Sequence, residues 1–305
     1  MGGTIPVMGQ FIIREPKSFG NLAALMYGVN TLGAAIGAAL AGFYLPLWMG
    51  FNATCALAII VSLGVALIAF RLSRGVAPAY QETMAGDAPD ADDSTGARLT
   101  RQERRRLERE EKRGRTPAQY VSPDPEPFPP VGGHRAVLVL AFLSGFGVLA
   151  LEVLWTRMFS QVLENSVYTF ASILVVVLIC LALGALISSR LARLNVPPFL
   201  MLSGLVLAGS AAVAVTPAIF LSLTNGMQLV SSEGSWLSYV FLIFRTATLT
   251  IGPSALVLGA VFPYLMKVEE RHLKSPGLSL GRLATANTIG AILGALLCGF
   301  LFLDW

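Results

Sequence analysis

The sequence predicts an all-α integral membrane protein, a polytopic bundle of about seven transmembrane helices with an internal repeat. Of its 305 residues, 54% are hydrophobic and only 13% are charged, which is far more apolar than a soluble domain. Several apolar runs reach the ~20 residues that a helix needs to cross the hydrocarbon core. Because lipid offers the backbone no hydrogen-bond partners, each run is expected to be a helix.

The second observation is that one segment of the chain occurs twice. Asn30–Phe43 reappears as Asn287–Phe300, and the correspondence continues without a gap to Trp48 and Trp305, each residue matching the one 257 positions later. Duplicated helical bundles are common in transporter-like membrane proteins. The chain is therefore expected to contain parts of two related copies.

The apolar runs give the predicted elements in chain order. They lie at 22–46, 52–71, 136–160, 167–189, 198–222, 237–266 and 283–303. This order predicts a partial copy at 1–74 with two transmembrane helices, a charged and Pro-rich cytoplasmic linker at 75–134, and a second copy at 135–305 with five. Within the sixth run, Gly252-Pro253 and Pro263 predict a break or kink, since proline removes a helical hydrogen-bond donor.

The short loops between these runs predict the orientation. Basic residues flank one end of the runs, whereas the loops near 46–52, 161–166 and 223–236 contain no Lys or Arg. The basic residues are Arg14, Lys17, Arg71, Arg74, Arg190, Arg193, Lys267, Arg271, Lys274 and Arg282. By the positive-inside rule, the N-terminus is expected in the cytoplasm and the C-terminus outside.

The predicted linker contains a strongly basic segment, Arg98–Arg115, between an acidic stretch and a run of prolines. One interpretation is attachment to anionic lipid headgroups or to an acidic cytoplasmic partner. The other is a solvated tether between two half-bundles. Nucleic acid is not an expected partner, because no aromatic residues are interleaved with the basic ones.

Each copy of the repeat contains glycines four residues apart. Gly33 and Gly37 in the first copy correspond to Gly290 and Gly294 in the second. Such small-residue faces allow transmembrane helices to approach closely. We predict helix packing at both faces, with Asn30 and Asn287 bonding across a seam between the copies or capping a broken helix.

Ionisable residues inside the predicted spans are the candidate site. Glu152 in the third span and Arg245 in the sixth lie at similar depths from the same side, with Arg157 nearer the interface. Charged side chains at such depths usually face a partner or a water-filled cavity. We predict that Glu152 pairs with Arg245, either as the floor of a cavity for a cation or proton or as a structural pair between two helices.

Catalytic motifs are missing from the sequence. There is no Gly-rich phosphate loop after a strand, no Ser/His/Asp set and no ligand-spaced metal cluster. Cys55, Cys180 and Cys298 lie inside apolar runs and are interpreted as packing residues. We expect no catalytic residue, cofactor or metal in this chain.

Segments of the third, fourth and sixth spans resemble a known family. Leu151-Glu152-Val153-Leu154-Trp155-Thr156-Arg157, Ser166-Val167-Tyr168-Thr169-Phe170 and Gly259-Ala260-Val261-Phe262-Pro263 are similar to the membrane region of bacterial fused spermidine-synthase-like proteins. In that family a soluble aminopropyltransferase-like domain commonly follows the helices, and its Gly-rich motif does not occur here. The resemblance implies a multi-pass protein of the bacterial inner membrane and no catalytic residue.

Three functions remain open on these grounds. The first is a non-catalytic membrane component, a scaffold or subunit of a larger assembly with other membrane proteins. The second is a transporter of a small molecule or polyamine through the region of Glu152 and Arg245. The third is a membrane anchor for a separate aminopropyltransferase.

Overall fold

The predicted all-α fold is confirmed. The computed structural model describes residues 6–9, 19–73, 133–164, 166–194, 196–228, 235–269 and 276–302, which are helical apart from short turns. The helices are α1 (Phe19–Ala39), α2 (Leu45–Ser73), α3 (His134–Ser160), α4 (Val167–Leu191), α5 (Pro198–Leu223), α6 (Trp236–Glu269) and α7 (Pro276–Leu297). Nearly all of the linker, including Arg98–Arg115, lies outside the described residues.

In the described part of the chain, six helical stretches are long and apolar enough to cross a membrane. The first, Phe19–Arg71, has 53 residues and would measure about 80 Å as one helix, against a core of about 30 Å. It is interrupted at Gly50, whose backbone has φ 78° and ψ 170°. Only glycine adopts such a conformation at little cost, so the stretch divides into two segments where the sequence predicted a loop.

The chain divides into two compact units. One contains Met1–Phe51 and Pro127–Trp305, and the other contains Asn52–Glu126. The described residues of the second unit form the remainder of α2, an apolar helix that ends at Ser73. The other helices belong to the first unit.

In the first unit, α4 and α6 form the central pair. Helix α1 packs against both, α5 and α3 pack against α6, and α7 packs against α3. The ends of α3, α4 and α6 that carry Arg135, Arg190 and Lys267 are named the basic end, and the opposite ends the far end. Helix α1 runs antiparallel to α4 and α6, because its first residues lie at the basic end and its last at the far end.

Two hydrophobic clusters fill this unit, one towards each end. The basic-end cluster contains Phe19, Ala23, Val137, Ala141, Leu202, Val261, Phe262, Tyr264, Leu265, Met266, Val268, Leu280 and Leu283. The far-end cluster contains Trp155, Phe159, Val162, Leu163, Ile173, Val176, Val177, Cys180, Phe220, Ile243, Ala247, Ile251 and Ala255. Each cluster contains residues from several helices, so apolar packing holds these helices together at both ends of the bundle.

Helix α6 is continuous over 34 residues although Pro253 and Pro263 lie inside it. Of the break or kink expected near Gly252, the break is therefore wrong. Transmembrane helices tolerate proline where neighbouring helices and hydroxyl side chains satisfy the freed backbone groups. Beside Pro253, the Ser254 hydroxyl donates to the carbonyl oxygen of Ile251 at 2.9 Å, a bond within the same turn of the helix.

Candidate functional site

Helix α1 belongs to the first repeat copy and α4 and α6 to the second, so their contact forms a seam between the copies. At the basic end, the side-chain amide of Asn21 is oriented so that it makes two hydrogen bonds. Its nitrogen donates to the Ser189 carbonyl oxygen at 2.8 Å, and its oxygen accepts from Arg193 Nη2 at 3.2 Å. A Cβ at Gly20 would lie only 2.5 Å from Lys267 Cα. Polar bonds and a close backbone approach thus hold this end together.

The middle of the seam is apolar and closely packed. A Cβ at Gly28 would lie 3.2 Å from a methyl carbon of Leu186 and 3.4 Å from the Ala182 carbonyl oxygen. The Tyr27 ring meets Phe262 edge to face, with centroids 5.5 Å apart. These contacts are made by a different face of α1 from the one that carries Gly33 and Gly37.

At the far end, the seam closes on a group of aromatic rings. The chain passes from α1 into a π-helical turn, Leu40–Tyr44, which places Phe43 against copy two. The Phe43 centroid lies 5.6 Å from that of Phe244 and 6.0 Å from that of Tyr168, and Tyr168 meets Trp236 at 5.5 Å. Such turns are frequent at functional sites, and this one inserts a side chain of one copy into the other.

The glycine face of the second copy packs against α3. Added Cβ atoms at Gly290 and Gly294 would lie 2.8 Å and 2.9 Å from the carbonyl carbons of Phe142 and Phe146. At the same crossing, a Cβ at Gly145 would lie 2.8 Å from the carbonyl carbon of Asn287. The two backbones therefore touch, as small-residue faces in membranes allow.

The equivalent face of the first copy is open. No atom of the described residues lies within 4 Å of a Cβ added at Gly33 or Gly37, and Asn30 is exposed. Asn30 and Asn287 are not brought together, because one lies on α1 and the other against α3. The seam between the copies is built instead by Gly20, Gly28 and Phe43.

The structure does not bring Glu152 and Arg245 into an ion pair. Among the described residues, the contact within 4.0 Å between a basic and an acidic side chain is that of His134 with Glu269. Arg245 is exposed and lies two residues after the buried Ile243, about 200° around α6. Glu152 instead shares a face of α3 with the buried Trp155. The two side chains therefore point in different directions although their helices touch.

Glu152 is half-buried on this inward face of α3, whereas Arg157 is exposed. Trp155 is three residues further along α3 than Glu152, so it lies on nearly the same side of the helix, while Arg157 lies on the opposite side. Trp155 belongs to the far-end cluster. The carboxylate thus projects towards the interior of the bundle, about 12 Å from the end of α3 at Ser160.

Comparison with known families decides the class of the protein. A family model described as Major Facilitator Superfamily matches residues 1–295. The chain belongs to the Major Facilitator Superfamily. No curated protein and no solved structure matches the chain significantly.

Membership of this superfamily shows a transporter-like, multi-pass membrane protein. Its members are generally transporters and not enzymes. The helical bundle and the candidate membrane spans agree with this class. Among the residues that the structure describes, no group of three or more His, Cys, Asp or Glu side chains is arranged so that it could hold a metal ion.

The structure also brings a histidine and a carboxylate into a contact that the sequence did not predict. His134 Nδ1 lies 2.6 Å from Oε1 of Glu269, at the basic ends of α3 and α6. The Glu269 side chain is fully buried and that of His134 is 32% exposed. The two residues are 135 positions apart, so no local spacing could have indicated the contact. The pair ties the start of α3 to the end of α6.

Proposed function

We propose that this chain is the helical bundle of a solute transporter in which Glu152 binds a cationic solute or a proton. The superfamily supports a transporter-like protein. The position of Glu152 on the inner face of α3 supports the role of that carboxylate. In this proposal the basic end faces the cytoplasm of a bacterial inner membrane, by the positive-inside rule.

The argument rests on the cost of a charge at this depth. A charged side chain inside a transmembrane segment is costly, and such residues usually face a partner or a water-filled cavity. No ion pair or hydrogen bond of the Glu152 side chain is found among the described residues. An ionised carboxylate on the inner face of a helix is stabilised by a positive charge near it, and a carboxylate that can be protonated there is able to carry a proton.

The resemblance of α3 and α4 to the membrane region of fused spermidine-synthase-like proteins suggests which solutes to test first. Polyamines are small, flexible cations. Their ammonium groups donate hydrogen bonds that a single carboxylate can accept. Arg245 and Arg157 are both exposed at the far end, on sides of their helices that face away from Glu152, so this proposal gives them no part in binding the cation.

The experiment is uptake of radiolabelled putrescine and spermidine into proteoliposomes that contain the purified chain. Glu152→Gln keeps the shape of the side chain and removes its charge, and we expect initial uptake to fall about tenfold or more. The matched control is Glu164→Gln, because Glu164 is exposed in the turn after α3 at the same end of the bundle. Equal uptake by both variants would contradict the proposed role.

A second measurement does not depend on the choice of solute. In a background in which the three cysteines are replaced by serine, Glu152→Cys is treated with a membrane-impermeant thiol reagent in sealed vesicles. We expect labelling, because a solute path needs access to water. Absence of labelling from either side of the membrane would refute the proposal whatever the substrate is.

A second candidate function is a non-catalytic subunit of a larger membrane assembly. The observation that favours it is the open face of α1 at Gly33 and Gly37. A subunit should purify in fixed stoichiometry with another membrane protein and show no solute uptake. The two functions are compatible if the assembly itself transports.

A further inference from the structure

We propose that Thr250 and Thr216, together with Glu152, form a binding site for a primary ammonium group. The inference rests on the transport proposal and deepens it, because it names the chemical group that the carboxylate holds and the residues that select that group. The three residues lie on α6, α5 and α3, all within the first unit of the fold.

The hydroxyl of Thr250 is a buried polar group that the fold leaves unused. Thr250 is 1% exposed, and its Oγ1 atom has no hydrogen-bond partner among the described residues. One turn earlier, the Thr246 hydroxyl donates to the carbonyl oxygen of Leu242 at 2.8 Å, within its own helix. Nearly all buried polar side-chain atoms in native proteins have a partner. The Thr250 hydroxyl is therefore available to a ligand.

Glu152 and Thr250 lie at the same level of the bundle. The contact between His134 and Glu269 fixes the register of α3 against α6, which run antiparallel. Measured from that contact, Glu152 lies about 27 Å along α3 and Thr250 lies about 29 Å back along α6, at 1.5 Å per residue. The two side chains are thus level to within about half a helical turn.

Thr216 of α5 lies at this level too. A Cβ added at Gly209 would lie 3.0 Å from a methyl carbon of Leu258, where α5 packs on α6. From this point Thr216 lies about 10 Å further towards the far end, and Thr250 about 12 Å. Thr216 is 2% exposed, and its hydroxyl donates to the carbonyl oxygen of Ala212 at 3.0 Å. Its oxygen can still accept a hydrogen bond.

Glu152 lies on the side of α3 that faces α5. Residues seven apart on a helix differ by only about 20° around its axis. Phe159 is seven residues after Glu152, and its ring meets that of Phe220 on α5 edge to face, with centroids 5.0 Å apart. The carboxylate therefore projects towards the side of the bundle where α5 packs on α6.

The two threonines lie on the faces that α5 and α6 turn towards each other. Gly209 comes seven residues before Thr216 on α5, and Val257 comes seven residues after Thr250 on α6. A Cβ added at Gly209 would lie 3.6 Å from a methyl carbon of Val257. One carboxylate and two hydroxyls thus converge from three helices on one region of an apolar core.

These groups match the hydrogen-bonding requirements of a primary ammonium group, which has three N–H donors and no acceptor. Glu152 supplies the negative charge, and the oxygens of Thr250 and Thr216 supply two further acceptors. A quaternary ammonium has the same charge and no N–H, so it would leave both hydroxyls without a donor. A site built to hydrogen-bond its ligand strongly rejects an analogue that cannot form those bonds. Selection of amines that carry N–H groups follows.

The test is displacement of radiolabelled putrescine from the purified full-length chain in lipid nanodiscs. The competitors are n-butylammonium and n-butyltrimethylammonium, which share a chain and a charge and differ in their N–H donors. We expect the unmodified chain to prefer the primary amine by about tenfold or more. Thr250→Val should weaken putrescine binding about tenfold and reduce that preference below about threefold. Thr250→Ser keeps the hydroxyl and should bind within about threefold of the parent.

The matched control is Thr246→Val, which makes the same change one turn along α6, where the hydroxyl bonds to its own helix. It should leave the affinity and the preference unchanged within about twofold. Because the Thr250 hydroxyl has no partner in the chain, Thr250→Val should unfold no more easily than the parent when amine is absent. If Thr250→Val does not fold, Thr216→Val repeats the binding test from α5.

Several results would overturn the inference. They are absence of putrescine binding, equal affinity for the two competitors, displacement by sodium chloride as effective as that by n-butylammonium, and an equal loss of affinity in Thr246→Val. Binding that Glu152→Gln abolishes and Thr250→Val leaves unchanged would also overturn it, while the transport proposal would stand. Thiol labelling of Glu152→Cys involves no amine, so the transport proposal fails or survives there separately.

Discussion

The repeat provides two substitutions that are alike in sequence and opposite in surroundings. Gly290→Ala and Gly33→Ala each add one methyl group at the same repeat position. At Gly290 that methyl would lie 2.8 Å from the carbonyl carbon of Phe142 and 3.1 Å from its Cα. At Gly33 it would meet nothing within 4 Å. The two variants therefore separate the effect of packing from the effect of alanine itself.

The size of the difference follows from these distances. Ordinary contacts of a Cβ begin near 3.4 Å, and the carbonyl oxygen of Phe142 would be still closer than its carbon, so α7 and α3 must part by more than about 0.6 Å at Gly290. The atoms met are backbone, which cannot rotate away, and overpacking of this kind costs about 1–3 kcal/mol. Alanine also favours the helix by up to about 1 kcal/mol, but that gain is common to both sites. We expect Gly290→Ala to be less stable than Gly33→Ala by about 2 kcal/mol, roughly thirtyfold in the unfolding equilibrium.

The assay is reversible unfolding in mixed micelles with increasing SDS, followed by tryptophan fluorescence. Comparison of the two variants with the unmodified chain gives the two changes in the free energy of unfolding. Stability that is equal in the two variants would refute the argument from backbone contact. Greater destabilisation by Gly33→Ala would show that the face of α1 is filled within the isolated chain.

Three further outcomes are expected in the same unfolding assay. Phe43→Ala should cost about 1–3 kcal/mol because it removes two ring contacts, whereas Phe300→Ala at the equivalent, exposed position should change stability by less than about 0.5 kcal/mol; equal effects would contradict the aromatic closure of the seam. Glu269→Gln should cost about 1–3 kcal/mol by weakening the buried hydrogen bond with His134, and an unchanged stability would show that the pair is dispensable. Gly184→Ala should cost about 1–3 kcal/mol, because its Cβ would lie 2.9 Å from the backbone of α6; a variant as stable as the parent would show that α4 and α6 can separate freely.

The helices themselves follow from composition because the bilayer leaves few alternatives. The runs predicted at 167–189 and 198–222 correspond to α4 and α5, which extend to Leu191 and Leu223. Apolar runs of that length need internal backbone hydrogen bonds, whatever their detailed sequence. The short loop expected near 46–52, between the first two runs, contains the non-helical Gly50.

The rotation of each helix about its axis could not be predicted in the same way. Helix α6 is apolar on most sides, so the sequence did not indicate which side would be buried. Depth alone suggested that Glu152 and Arg245 would meet, but depth says nothing about direction. The pairing of His134 with Glu269 depends on how the basic ends of α3 and α6 are brought together, which is a property of the packed bundle.

The two glycine faces show the same limit most directly. Gly33 and Gly290 lie in nearly identical local sequences, so any rule based on local sequence must assign them the same environment. One is exposed and the other lies against the backbone of α3. The difference must come from the neighbours that each copy has. A glycine pattern therefore indicates that another helix can approach closely. Whether one does so depends on the helices that lie beside it.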